Sequence, residues 1–206
     1  MSAKYGKPPT YGQYWHVLAA QWDEMQIKGS ARLEVDGYVH RALAGKDRYI
    51  HLERRTAFEQ HNDGVPWWLT SIIAERESGQ DWSRSLAQGD RWNHASVNEP
   101  RGRGPFQSWE DAAVDALHLD HVDKVIDWRL EKALYTCIGF NGWGYYLYHK
   151  HMPSPYLWGG TSIQVKGKYV RDGVWSSTTW DTQVGCACML RALMDADSSV
   201  RPIRET

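Results

Sequence analysis

In the segment YGQYWHVLAAQWDEMQIK, Tyr14, Val17, Leu18, Trp22 and Met25 fall at helical spacing, which predicts an amphipathic helix over residues 11–28. ARLEVDGYVHRALAG predicts a second helix, weakened at Gly37 and stopped at Gly45. DRYIHLERRTAFEQHN predicts a third, ended by Asn62-Asp63-Gly64. Pro66 then suits a first helical position, and an apolar helix runs from it to about Glu77. Residues 79–107 lose periodicity and are rich in Gly, Asn, Ser, Arg and Pro. A loop that long inside a compact domain is more often functional than incidental. Helix resumes after Ser108, which forms an S-x-x-D capping pattern with Asp111. Residues 130–160 read as a helix breaking into a Gly- and Tyr-rich loop, and residues 162–170 as a short hairpin. WDTQVGCACMLRALMDAD is apolar on nearly every side and predicts a buried C-terminal helix. The expected fold class is mainly α, with one small β-hairpin in an α+β arrangement. A single domain over residues 1–206 is expected, with N-terminal helices to residue 45 and the core over 46–200.

Composition changes this picture in one respect. Apolar residues make up 42% and charged residues 24% of the 206, ordinary values for a globular chain. The net charge of -1 supplies no global attraction to nucleic acid or anionic membranes, and no apolar run is long enough to span a bilayer. The N-terminal residues carry no apolar core of a secretory signal, so synthesis and folding in a cytoplasm are expected. Three cysteines, Cys137, Cys186 and Cys188, cannot form a paired disulfide framework, in keeping with a reducing compartment. The unusual numbers are 12 Trp and 11 Tyr against 3 Phe. Trp and Tyr pair a flat apolar face with a polar handle, the combination a sugar-binding groove needs.

Candidate chemistry centres on ERESG, where an apolar helix runs into two glutamates. Glu75 and Glu77 point about 160° apart on a helix, so they cannot serve one site as an adjacent pair. Leu69, Ile72 and Ile73 mark the buried face, and each glutamate lies at one edge of it, so the helical wheel does not choose between them. A carboxyl that protonates a glycosidic oxygen belongs at the end of a buried helix, where desolvation raises its pKa.

Glu-Ser-Gly at the end of an apolar helix is similar to goose-type lysozymes and lytic transglycosylases. The run GVPWWLTSIIAERESGQDWSRSLAQGD resembles a family of bacterial and phage lysozyme-like peptidoglycan hydrolases. GPFQSWEDAAVDAL resembles that family's next block, and FNGWGYYLYHKHMPSPYLWGGTSIQVKGKYVRDGVW resembles a third. The resemblance implies a lysozyme-like fold over residues 45–195. It implies Glu77, in the Arg-Glu-Ser position, as the general acid, and leaves Glu75 structural or solvated. Asp90, in the Gly-Asp position, becomes the candidate second carboxylate. Gln88, Gln107, Asn141, Tyr145, Tyr146 and Tyr156 become candidate glycan contacts. Two departures stand out: Ala87-Gln88 replace a His-Asn pair, and Phe140 replaces a tyrosine.

What the resemblance implies is a muramidase cleaving the β-1,4 bond between N-acetylmuramic acid and N-acetylglucosamine. With Asp90 as general base the reaction inverts, with the carboxyls about 6.5–9.5 Å apart. With Glu77 acting alone, the muramic 6-hydroxyl replaces water and gives a 1,6-anhydro product, as in lytic transglycosylases. The expected partner is the peptidoglycan glycan strand, reached by a monomer that needs no cofactor or metal. By analogy the chain suits a phage endolysin, made in the cytoplasm and acting on the wall after release through a holin or carriage in the virion.

Three other readings compete. A zinc enzyme would use His118 and His121, or His149 and His151. Neither pair belongs to an H-E-x-x-H or C-x-x-C pattern, and Cys186 and Cys188 diverge on a helix. A non-catalytic glycan-binding or phage structural protein would share the aromatic surface but need no acid at Glu77. A chitinase would share the chemistry on a glycan lacking lactyl groups.

Overall fold

The computed structural model describes residues 6–206 apart from 88, 99 and 172. The described residues form nine α-helices and one two-stranded antiparallel sheet, so the mainly helical reading holds. The chain divides into two compact units, Tyr38–Trp128 and the discontinuous pair Met1–Gly37 with Arg129–Thr206. The division passes through a helix, between Gly37 and Tyr38.

In the discontinuous unit, α1 (Tyr11–Glu24) buries Tyr14, Leu18 and Trp22 on one face. It packs on α6 (Leu130–Asn141), which presents Leu134, Cys137 and Ile138 to the core. α8 (Pro155–Trp158) and α9 (Cys186–Ala196) pack on α6 and on each other. The first five residues of α9 are all buried, whereas Asp195 and Ala196 are exposed, so the all-round burial expected of this segment covers only its N-terminal half. The three free cysteines are buried in α6 and α9. A C-terminal tail ties the unit together: Arg204 joins Asp23 and the fully buried Glu131, and the Glu205 amide donates to Glu131 at 2.8 Å.

Two boundaries differ from the sequence reading. α1 ends at Glu24 rather than residue 28, because the next residues leave the helix to pair with a distant segment. Lys28 N donates to Gly160 O at 2.9 Å and Ser162 N to Gln26 O at 2.8 Å, and these tertiary bonds replace the last helical turn. The hairpin also lies later than residues 162–170, with β1 at Lys168–Arg171 and β2 at Val174–Ser176. Tyr169 faces Trp175 across the pair, and Gly173 supplies the positive φ of the turn.

The continuous unit begins within α2 (Arg32–Ala44) and contains α3 (Lys46–Gln60), α4 (Trp67–Ser78) and α5 (Trp109–Leu119). Helix α4 is its axis, with eight consecutive buried residues from Trp67 to Ala74. A helix buried on all sides must satisfy its polar members internally. Ser71 does so, bonding the Trp68 carbonyl and the Tyr38 hydroxyl. Pro66 caps α4 rather than opening it, and the Glu53 carboxylate accepts from Trp67 N at 3.0 Å. That negative group at the first turn serves the amide and the helix dipole together. The Ser108 cap of α5 forms as expected, accepting from Asp111 N at 3.1 Å.

Candidate functional site

Helix α4 ends in a left-handed turn. Gly79 (φ 60°) and Gln80 (φ 58°) return their amides to Glu75 O and Ala74 O, closing the last turn. A left-handed glycine costs little, but a left-handed glutamine needs compensation. Gln80 is 7% exposed, and its carboxamide is held at both ends. Its Oε1 accepts from the Tyr49 hydroxyl at 3.0 Å, and its Nε2 donates to Glu75 Oε2 at 2.9 Å. Glu75 is gripped by Arg41 through two bonds of 2.6 and 3.2 Å, and its side chain is 11% exposed. Arg41, Glu75, Gln80 and Tyr49 therefore form one polar chain across α2, α4 and α3. Burial raises the Tyr49 phenol well above its ordinary range, with the Glu75 charge adding to the effect, so Tyr49 remains a hydrogen-bond donor.

Glu75 is thus a structural anchor. Glu77, two residues further on, sits half-buried in the last turn of the same helix, where the chain enters the long loop. Among its described residues that loop has no helix or regular strand, as expected, but they are closely knit. Arg84 and Arg91 form an isolated bridge, Ser85 N donates to Asp90 O at 2.7 Å, and Arg84 Nη1 reaches Gly89 O at 2.7 Å. Trp82 anchors the loop's start, packing against Tyr49 and Trp109 with centroids 5.0 and 4.6 Å away, under the Arg48 guanidinium. Trp82 also lies so close to Gly45 that a Cβ there would approach its ring to 2.8 Å.

The Gly-Asp turn folds back on the end of α4: a Cβ on Gly89 would stand 3.5 Å from the Glu77 carbonyl oxygen. Asp90 thus follows a residue that lies against the backbone of Glu77. Its carboxylate is engaged within the loop. Oδ2 accepts from Val97 N and Asn98 N, both at 2.9 Å, and Oδ1 from Asn98 Nδ2 at 2.8 Å. Three accepted bonds leave little lone-pair capacity for activating water. Gln88 lies outside the described residues. Gln107 is exposed beside the Ser108 cap.

The remaining predicted contacts belong to the other unit. Asn141 is exposed at the end of α6. Tyr145 and Tyr146 lie on α7 (Gly144–Tyr148), half-buried in aromatic clusters. Tyr145 meets Trp175 and Tyr169, whereas Tyr146 stacks on His151 at 4.1 Å and meets Tyr14 edge-on. Tyr156 does not fit a glycan contact: it is 3% exposed, its ring part of the core around α8. The Asn141 and tyrosine positions thus fall in a different unit from Glu77, Asp90 and Gln107.

Two of the histidines considered for zinc, His118 and His149, have other partners. His118 Nδ1 lies 2.9 Å from Asp123 Oδ2, and His149 stacks on Trp175 while its Nε2 meets the Tyr169 hydroxyl at 2.8 Å. Burial lowers the His149 pKa, favouring the neutral ring. Among the described residues, no three His, Cys, Asp or Glu side chains converge as a metal site requires. Comparison with protein-family models, curated proteins and solved structures finds no match for the chain.

Proposed function

We propose that the chain is a peptidoglycan muramidase with a lysozyme-like fold, in which Glu77 protonates the leaving oxygen of the β-1,4 glycosidic bond. The observation that carries this reading is the division of labour at the end of α4. Glu75 is committed to Arg41 and Gln80, and Glu77 stands two residues further on at the mouth of a stiffened loop, on a turn that the Glu75 chain immobilises. Positioning of this kind is what a general acid requires. Water adds to the anomeric carbon as its bond to the 4-oxygen breaks, the Glu77 proton passes to that departing oxygen, and the proton the water loses restores the acid, leaving a reducing muramic end. The endolysin role, released or virion-borne and acting on the wall as a monomer, belongs to the same proposal.

Asp90 favours a second reading of the step. Its three accepted hydrogen bonds suit holding the loop better than activating water. Glu77 would then act as acid and base in turn, the muramic 6-hydroxyl would attack, and the product would be 1,6-anhydromuramic acid.

The test is digestion of purified peptidoglycan by wild type, Glu77→Gln and Glu75→Gln, with products resolved by mass spectrometry. Glu77→Gln is expected to lose at least about 100-fold in rate, and Glu75→Gln to remain active while folded. Reducing ends identify the hydrolase and anhydro ends the transglycosylase. No cleavage by folded wild type on several wall types overturns both and leaves a glycan-binding or structural role.

A further inference from the structure

A concave site away from Glu77 lies wholly within the discontinuous unit. It is a cleft of about 400 Å³ lined by Lys28, Ser30, Glu34, Gln164, Trp180 and Thr182, among others, over a floor that includes Gly160. The floor is built rather than incidental. Gly160 has φ 76°, and a Cβ there would come within 2.9 Å of the Ala31 Cβ and 3.3 Å of Val184, so only glycine lets the backbone pack this closely beneath the cleft. Gln164, 8% exposed, accepts from Gly160 N and Lys28 Nζ and donates to Asp181 O at 2.7 Å, fixing both walls. The Asp181 carboxylate is matched by Lys168 at 3.1 Å, so it contributes little net charge.

What the cleft offers a ligand is an excess of hydrogen-bond donors around an aromatic ring. Trp180 is 43% exposed, and the Lys28 and Lys166 ammoniums lie 4.7 and 5.9 Å from its centroid. Lys28 spends one of its three protons on Gln164. Among the described residues, the Ser30 and Thr182 hydroxyls, the Trp180 indole N–H and the Lys166 ammonium take no protein hydrogen-bond partner. Against these donors stands the Glu34 carboxylate, one oxygen of which already accepts from Val184 N at 3.1 Å. Two cations beside an exposed indole, Lys28 in the lining and Lys166 outside it, with two hydroxyls in the lining, suit a ring compound that carries an anion.

We infer that this cleft binds a carboxylate-bearing saccharide, its ring packed against Trp180 and its carboxylate between Lys28 and Lys166. The choice of muramic acid as that saccharide rests on the muramidase reading; the donor excess does not. The full chain is titrated calorimetrically with N-acetylmuramic acid, N-acetylglucosamine and lactate, while Trp indole N–H resonances are followed by NMR. N-acetylmuramic acid is expected to bind at least about tenfold tighter than either fragment, because it alone supplies both ring and anion. Trp180→Ala and Lys166→Ala, both surface changes that should leave the folded spectrum intact, are each expected to weaken it about tenfold. Rising salt should weaken it too. Equal affinity for N-acetylglucosamine overturns the anion requirement, and equal affinity for lactate overturns the ring requirement. Unchanged affinity in both variants overturns the location. Wall digestion by the same wild-type sample separates the two proposals: binding intact in a wild-type chain that cuts no wall leaves the cleft standing and removes only the muramidase reading.

Discussion

Replacing Gln80 by Ala removes two hydrogen bonds from a nearly buried position and keeps the left-handed backbone. The Tyr49 hydroxyl loses its carboxamide partner inside the core, and such an orphaned donor costs about 1–3 kcal/mol. Glu75 loses less, because Arg41 still grips both its oxygens. The sum is about 2–3 kcal/mol. Gln80→Gly loses the same bonds but relieves the left-handed residue of its Cβ, so it should be roughly 1 kcal/mol less destabilised than the Ala variant. Tyr49→Phe with Gln80→Ala completes a double-mutant cycle, with an expected coupling of about 1 kcal/mol. Urea unfolding followed by tryptophan fluorescence reads these directly, a 2 kcal/mol loss moving the midpoint by about 1 M. A Gln80→Ala variant within about 0.5 kcal/mol of wild type, or no difference between Ala and Gly, would show that the turn does not depend on this chain of bonds.

Three further outcomes are expected. Glu131→Ala takes a fully buried acceptor from the Glu205 amide and from Arg204, which keeps Asp23, and should cost about 1–3 kcal/mol in urea unfolding; a loss below about 0.5 kcal/mol would mean the C-terminal tail is not a structural strap. The Glu110 carboxyl is held below the ordinary carboxylate range chiefly by its hydrogen bond from Arg48, so its contribution is present above the unfolded pKa and lost as pH falls through the depressed one. Arg48→Met should therefore raise the acid-unfolding midpoint, and an unshifted midpoint refutes the linkage. Asp90→Asn keeps an acceptor at the loop and should retain most wall-cleaving rate per folded molecule, whereas Asp90→Ala should not; inactivity of both, with the loop intact by NMR, would restore Asp90 as a base.

How much of this was legible in the sequence depends on the range of the forces involved. The helices were, because burying one face imposes a local period: α2, α3 and α4 begin and end within two residues of their expected limits, and α5 begins directly after its expected Ser108 cap. The end of α1 was not, since the bonds from residues 26–28 to residues 160–162 are made across the unit and leave no local trace. The hairpin was misplaced for a different reason. Its strongest local signal is Asp172-Gly173, a turn dipeptide just beyond the stretch read as strands. At the candidate site, the end of α4 could be read from Gly79, but its stiffening could not. Tyr49 and Arg41 lie more than twenty residues from Gln80 and look like ordinary helix residues. Tyr156 was misjudged because Ser-Pro-Tyr-Leu-Trp reads equally well as a surface loop or as a short buried helix, and only packing decides.

Glu75 and Glu77 show why residue type and spacing alone do not assign chemistry. Both end an apolar helix, and both face its polar margin. Glu75 lies within reach of the Arg41 guanidinium and the Gln80 carboxamide, and a carboxylate tied by three bonds is poorly suited to deliver a proton. The same three bonds hold the turn on which Glu77 stands. A helix end built to place one carboxyl accurately needs a second polar anchor close in sequence, on a different face, committed to structure. On the proposed reading, Glu75 then serves Glu77 by holding its turn and takes no part in the reaction.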